Sequence, residues 1–138
     1  MSQPDASITI TRRDRDRLLQ VVDRFGGLSG GILVEFLQRE IMRARVVASE
    51  GIPRSIATMN SRLRYYDAES DAELTATLVY PGDEDAWLGR LCVLSSAGTA
   101  LLGLTEGQTI TWRDFGRPRA LTLRKVLYQP EAAGRYDL

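Results

Sequence analysis

Histidine is absent from this chain of 138 residues, and cysteine occurs once, as Cys92. The lack of histidine excludes His-dependent catalytic triads, zinc sites with histidine ligands and the commonest general base at neutral pH. One cysteine allows neither an intrachain disulfide nor a cysteine metal cluster. Because Cys92 lies in the apolar run at residues 91–94, we expect it to be a buried small hydrophobic residue and not a reactive thiol.

Long apolar runs and an excess of positive charge are absent as well. No stretch is long enough to span a bilayer, and the first residues do not carry a basic and then apolar signal, so we expect a cytoplasmic protein without a membrane partner. Eighteen Lys and Arg residues balance eighteen Asp and Glu residues. Specific DNA binding is therefore not expected, because nucleic-acid binders use a positive field to release phosphate counterions. A protein partner is favoured.

Carboxylates are abundant, but their pattern is typical of a solvated turn and a solvated loop. They form two groups, Asp67, Glu69, Asp71 and Glu73 in the first and Asp83, Glu84 and Asp85 in the second. Neither group has the spacing of a calcium-binding loop. The motifs of hydrolases, P-loops and dinucleotide-binding folds are also missing. We therefore predict no enzyme, no cofactor, and no catalytic or metal-binding residue.

The first part of the chain has the pattern of a short antiparallel helical hairpin, assigned to residues 1–52. Alternation over residues 7–11 predicts a short strand or an extended lead-in, and Thr11 with Asp14 resembles a capping box that starts a helix at about Arg12. Glycines between Phe25 and Gly31 end this helix. A second amphipathic helix is predicted from Ile32 towards Val47. The helices carry apolar stripes, Leu18, Leu19, Val22 and Phe25 in the first and Leu33, Leu37, Ile41, Ala44 and Ala48 in the second.

After Pro53 the period changes from helical to alternating, which sets off residues 53–138 as a second domain. Strands are predicted at residues 62–66, 74–80, 91–94, 109–112 and 121–128. Ser95 or Ser96 caps a short helix at residues 97–102, and Gly103 ends it. Periodicity alone predicts the α+β class with a helical hairpin, and the order of the elements fits a small antiparallel sheet packed on one short helix.

Three segments in this order carry a family resemblance: Thr58-Met59-Asn60-Ser61-Arg62, residues 97–104 (AGTALLGL) and residues 128–134 (YQPEAAG). Together they resemble the family of the regulator of nucleoside diphosphate kinase, Rnk, whose C-terminal domain is similar to that of the Gre transcript-cleavage factors. The resemblance implies an FKBP-like C-terminal domain, a coiled-coil hairpin and RNA polymerase as the partner. It also implies an effect on nucleoside diphosphate kinase, which could be an indirect result of altered transcription.

In Gre factors the segment between a strand and the short helix meets the helical rim of the polymerase secondary channel. The matching positions here are Leu94, Ser95, Ser96, Ala97 and Gly98. Two of them depart from the Gre pattern, because Leu94 stands where an acidic residue is frequent and Ser96 where proline is usual. The first change removes an ion pair with the polymerase, and the second loosens the first turn of the helix. The segment could equally serve only as a helix N-cap.

Gre factors reach the polymerase active centre with a long hairpin whose acidic tip helps to hold magnesium. Here residues 25–31 contain no acid, and the nearest are Asp23 and Glu35. A helix of about 14 residues spans only roughly 20 Å. The resemblance thus implies docking at the channel mouth and competition with Gre factors, without stimulation of transcript cleavage. Phe25 and Leu28 at the tip either pack within the protein or contact a partner.

Other functions are compatible with the sequence. FKBP-like folds include prolyl isomerases and peptide-binding modules, and a general stress or polyphosphate-linked adaptor is a further hypothesis that no residue tests. The last predicted strand pair is basic, which indicates a solvated face or a contact for acidic protein or nascent RNA. Its cations are Arg113, Arg117, Arg119, Arg124 and Lys125.

Overall fold

The computed structural model describes residues 7–26 and 31–138. Within these ranges the fold is α+β. The helices are α1 (Arg12–Phe25), α2 (Gly31–Arg43) and α3 (Ser96–Leu101), with a 3-10 turn at Ser49–Gly51. The strands are β1 (Thr9–Thr11), β2 (Arg45–Val47), β3 (Arg62–Asp67), β4 (Ala72–Val79), β5 (Arg90–Cys92), β6 (Thr109–Asp114) and β7 (Arg117–Tyr128).

The main sheet has five strands in the order β5-β4-β3-β7-β6. Three of the four neighbouring pairs are antiparallel, as predicted, but β4 and β5 are parallel, so the expectation of a purely antiparallel sheet was wrong. The reason lies in the loop at residues 80–89, where Asp85 and Arg90 exchange backbone hydrogen bonds of 3.2 and 2.8 Å. This bridge turns the chain back so that β5 starts beside Thr77 and runs alongside the last residues of β4, and a parallel pair requires such a return.

The second helix is shorter than the sequence pattern predicted. It ends at Arg43, and residues 45–47 form β2, which pairs in parallel with β1. Val46 and Val47 are β-branched and suit a strand, and the Arg45 N–H donates to the Ile8 carbonyl at 2.9 Å. Pairing with a strand from a distant part of the chain thus overrides the helical periodicity.

Thr11 caps α1 as predicted, since its hydroxyl oxygen accepts from the Asp14 N–H at 2.9 Å. The second half of the predicted capping box is wrong. The buried Asp14 carboxylate accepts instead from the Met59 N–H at 3.1 Å and from the Tyr80 hydroxyl at 3.3 Å. Both partners belong to the sheet-forming part of the chain, so Asp14 ties α1 to that part.

One hydrophobic cluster runs from the helices into the sheet. Leu18 and Leu37 are fully buried in it, together with Leu63 and Leu121 of the sheet. The predicted stripe of α1 is only partly confirmed, because Leu19 is exposed and Val21 is buried in its place. The division into domains at residues 52 and 53 stays a prediction, and the core is continuous across it.

The segments that carry the family resemblance meet where α1 and β1 pack on the sheet. The Thr58 hydroxyl donates to Glu131 at 2.7 Å, and the Gln129 side chain donates to two backbone carbonyls at 2.8 Å, those of Pro53 and Ile56. At Gly103, with φ +79°, an added Cβ would lie 2.8 Å from the Cβ of Ile8. These sequence signatures therefore specify close packing among the segments that precede β1 and β3 and that follow α3 and β7.

Lowering the pH from 7.5 to 5 is expected to stabilise the protein through Asp14. Burial is the main reason that its pKa is raised from 3.8 to about 6; Glu131 raises it further, and hydrogen bonds from Met59 and Tyr80 oppose the shift. Because the folded pKa lies above the unfolded one, the stabilisation is complete below about 3.8 and is lost as the pH rises through about 6. At pH 5, one unit below the folded pKa, the free energy of unfolding should be about 1.4 kcal/mol higher than at pH 7.5.

Urea denaturation at both pH values measures this effect. The Asp14→Asn variant cannot take up the proton, so its free energy of unfolding should change by about 1.4 kcal/mol less than that of the wild-type protein. Equal pH dependence in the two proteins would contradict the assignment.

Candidate partner-binding site

The predicted docking segment lies between β5 and α3, and its conformation is fixed by local hydrogen bonds. The Ser95 hydroxyl donates to the Cys92 carbonyl at 2.7 Å and accepts from the Gly98 N–H at 3.0 Å. The Thr99 hydroxyl donates to the Val93 carbonyl at 2.6 Å. Ser95 is thus the N-cap of α3, which confirms one of the two predicted caps.

Exposure divides the five predicted contact residues into two groups. Leu94, Ser95, Ser96 and Ala97 are half-buried, whereas Gly98 is buried. An added Cβ at Gly98 would lie 2.1 Å from the Cys92 carbonyl oxygen, so only glycine fits there. Gly98 therefore lets the start of α3 lie close to the Cys92 carbonyl and does not itself offer a contact surface. The partner-binding role of the segment stays a prediction.

The single cysteine belongs to the same turn. Its sulfur accepts from the Leu94 N–H at 3.4 Å, and the residue is half-buried instead of fully buried as expected. Burial raises the pKa of the Cys92 thiol. The protonated thiol is thereby favoured. Because the thiolate is the reactive form, this agrees with the prediction that Cys92 is not a reactive thiol.

A buried ion-pair network supports the docking segment from the sheet side, and sequence reasoning missed it. Ser96 donates to the Asp114 carboxylate at 3.1 Å. Arg119 donates to Asp114 and to Asp67, in each case at 3.1 Å, and the side chains of these three charged residues are only 10–12% exposed. Glu69 completes the network with an oxygen 3.4 Å from the Arg119 Nε. The alternation of charged residues in β3, β6 and β7 gave no sign that they meet.

Aromatic contacts bring α2 next to this network. The Arg119 guanidinium lies 5.2 Å from the centre of the Trp112 ring, and Trp112 stacks on Phe36 of α2 with the ring centres 5.9 Å apart. A cleft of about 430 Å³ lies between α2 and β6, and Ser96 is one of its lining residues. The docking segment and the second helix of the hairpin therefore share one cleft.

The hairpin tip is described only in part. Phe25 is 41% exposed, and the Arg24 guanidinium lies 5.9 Å from the centre of its ring. Leu28, the other predicted tip residue, lies outside the described residues. Asp23 and Glu35, the acids nearest to the tip, are both exposed.

The described ranges contain neither a membrane-spanning helix nor a metal-binding group of side chains. No helix in residues 7–26 and 31–138 is long and apolar enough to cross a membrane. In the same part of the chain no three acidic or cysteine side chains lie together as a metal-binding group would require.

Two known protein families match this chain, one in each of its two predicted parts. The family described as "Transcription elongation factor, GreA/GreB, C-term" matches residues 52–128, and the family described as "Rnk N-terminus" matches residues 7–47. A solved structure, the prokaryotic transcription elongation factor GreA/GreB from Nitrosomonas europaea, is 35% identical with a TM-score of 0.68 and covers 88% of this chain and 98% of that one. The fold is thus that of the GreA/GreB-type transcription elongation factors.

Full-length similarity defines the family more closely. The regulator of nucleoside diphosphate kinase from Escherichia coli (strain K12) is 33% identical over 139 residues, with all of both chains covered. Transcription elongation factor GreA from Thermodesulfovibrio yellowstonii is 27% identical over 78 residues, which are 56% of this chain and 49% of that protein. The chain belongs to the family of the regulator of nucleoside diphosphate kinase, and the resemblance seen in the sequence is confirmed.

Proposed function

We propose that this protein regulates transcription elongation by binding RNA polymerase at the mouth of the secondary channel, where it competes with Gre factors without stimulating transcript cleavage. The contact is made by Leu94, Ser95, Ser96 and Ala97, with Gly98 setting their backbone. The protein is not an enzyme in this proposal and acts in the cytoplasm. Residues 1–52 serve as a short coiled-coil hairpin and residues 53–138 as an FKBP-like domain.

The observation that carries the proposal is a short hairpin that lacks acidic residues at its tip. Helix α1 has 14 residues and α2 has 13, so each spans roughly 20 Å. Residues 25–31 contain no carboxylate. Glu40 is no substitute, because it is buried near the other end of α2 and pairs with Arg43 at 2.8 Å. A hard cation in the polymerase active centre needs carboxylate oxygens within reach, and this hairpin supplies none at its end.

The hydrogen-bonded conformation of the docking segment supports its use as a contact. Four of its five residues are half-buried, so they present some surface while their backbone is fixed by the Ser95 cap. Ser96 is held by Asp114. A preorganised surface loses little conformational freedom on binding, which favours association.

The alternative of a prolyl isomerase or peptide-binding module receives less support. Such a site needs aromatic side chains that are free to line an apolar pocket. In the cleft between α2 and β6, Phe36 and Trp112 are buried and stack on each other, and Arg39, Glu40 and Arg43 add charge to the lining. A link to nucleoside diphosphate kinase is proposed to be indirect and to follow from altered transcription.

A competition assay tests the proposal. The purified protein should co-elute with core RNA polymerase at low salt and displace a labelled Gre factor, while backtracked transcripts stay uncut. The Ala97→Glu variant keeps the Ser95 cap but adds charge at the contact, so we expect at least tenfold weaker displacement. The control is Ala133→Glu, the same substitution at an exposed position in the C-terminal turn, which should displace as well as the wild-type protein. Failure to co-elute, or cleavage of backtracked transcripts, would overturn the proposal.

A further inference from the structure

The most exposed large apolar side chain in the described part of the protein is Trp87. It is 98% exposed, and the neighbouring Leu88 is 61% exposed. The sequence predicted only a solvated loop just before it, with Asp83, Glu84 and Asp85. An isolated exposed leucine is ordinary, but adjacent exposed tryptophan and leucine side chains at a loop tip form a surface that suits a partner.

The loop holds Trp87 in place through its backbone. One oxygen of the Asp85 carboxylate accepts from the N–H groups of Trp87 and Leu88, at 2.9 and 3.3 Å. The backbone of Asp85 is in turn bridged to Arg90 at the start of β5. The backbone of Trp87 is therefore fixed by the loop, so binding would order mainly the indole side chain.

Within the loop at residues 81–89 the charge has one sign, and the nearest cation along the chain is the exposed Arg90 at the start of β5. Residues 81–89 contain three acids and no cation. Asp83 and Glu84 are exposed, and neither forms an ion pair among the described residues; Glu84 accepts only from the Gly82 N–H, at 2.6 Å. An apolar tip flanked by unpaired carboxylates complements a surface that presents arginine or lysine beside an apolar recess, and tryptophan is the best aromatic partner for a cation.

The same loop leads directly into the proposed docking segment. Only the three residues of β5 and Val93 separate Gly89 from Leu94. A strand rises about 3.3 Å per residue, so Leu88 and Leu94, six positions apart, lie within roughly 20 Å of each other. One partner could contact both at once.

We propose that Trp87 and Leu88 form an apolar anchor that inserts into a basic protein surface on the same partner that the docking segment contacts. The inference rests on the proposed function, so the partner is RNA polymerase. The anchor supplies apolar burial and a cation–π contact, and Asp83 and Glu84 guide its orientation by charge. Tryptophan is the residue type most enriched among interface residues that dominate affinity.

Affinity for core RNA polymerase, measured by fluorescence anisotropy of protein labelled at its N-terminal amine, tests the anchor. We expect Trp87→Ala to bind about 30-fold more weakly than the wild-type protein, as for a residue that dominates an interface. Trp87→Phe should keep part of the affinity. The matched control is Met42→Ala, which removes a side chain that is 76% exposed on α2 and should leave affinity unchanged. Because Trp87 makes few contacts within the protein, its variants should keep the wild-type urea midpoint.

A second measurement follows the indole itself. In protein containing 5-fluorotryptophan, the fluorine resonance of Trp87 should shift or broaden when unlabelled polymerase is added, and Trp87→Phe assigns it against Trp112. The double variant Asp83→Asn with Glu84→Gln should show a weaker dependence of affinity on salt.

The outcomes separate this inference from the function on which it rests. If the wild-type protein binds polymerase and Trp87→Ala binds equally well, the anchor is wrong and the proposed function stands. If the wild-type protein does not bind, the proposed function fails and the anchor fails with it. If sedimentation shows a dimer that depends on Trp87 while polymerase affinity does not, the surface joins two copies of this chain, and the anchor is again overturned.

Discussion

Replacing Arg119 by methionine is expected to lower the free energy of unfolding by about 3–5 kcal/mol. The guanidinium pairs with Asp67 and Asp114 at 3.1 Å, and the two carboxylates are 11% and 10% exposed. Without Arg119 these buried charges face each other unpaired, and the loss of a buried partner costs more than the pair contributes. Urea denaturation at pH 7.5 measures the change.

Arg117→Met is the matched control for this prediction. Arg117 precedes Arg119 on β7 and pairs with Glu69 at 2.7 Å, but the two side chains are 66% and 37% exposed. A surface pair of this kind contributes at most about 1 kcal/mol. A triple variant with Arg119→Met, Asp67→Asn and Asp114→Asn should regain much of the stability, because no buried charge is left unpaired. Equal effects of Arg119→Met and Arg117→Met would contradict the buried network.

Gly98→Ala is expected to cost roughly 3 kcal/mol of stability, at the upper end of the range for overpacked sites. The added Cβ would lie 2.1 Å from the Cys92 carbonyl oxygen and 3.0 Å from the Ser95 Oγ. The nearer atom belongs to the backbone, so no side-chain rotation relieves the contact. Alanine favours a helix over glycine by about 1 kcal/mol, which offsets only part of the cost.

The same substitution should weaken polymerase binding, because the turn between Cys92 and Gly98 must shift. Stability and binding are measured by thermal unfolding and by the competition assay. Gly51→Ala is the control, since nothing lies within 4 Å of the Cβ that it adds. Stability unchanged in both variants would mean that the docking segment is not packed as described.

Local signals predicted three helix boundaries at which a cap or a glycine was involved. Thr11 starts α1, Ser95 starts α3, and the chain leaves α3 before Gly103 with its positive φ. Each of these depends on hydrogen bonds or backbone angles within a few residues, which the order of residue types specifies directly. The tip residues Phe25 and Leu28 had no such signal, and their role stays a prediction.

Features that depend on distant parts of the chain were missed or misassigned. Asp14 had the spacing of a capping box, yet its carboxylate bonds to Met59, 45 positions away. Residues 45–47 continued the helical pattern, yet they pair with β1. In both cases a contact across the fold competes with a local preference that amounts to about 1 kcal/mol or less, and the contact prevails.

The order of residue types by itself determined the class of fold and a short hairpin without carboxylates at its tip, because periodicity, caps and composition are properties of neighbouring residues. The family followed from the resemblance that three segments carry. Only the tertiary structure decided that Arg119 joins two buried carboxylates behind the docking segment and that Trp87 is almost fully exposed. The reason is that both features are matters of burial. Whether a charged or aromatic side chain faces water depends on which strands and loops pack over it, and that packing joins residues far apart in the chain.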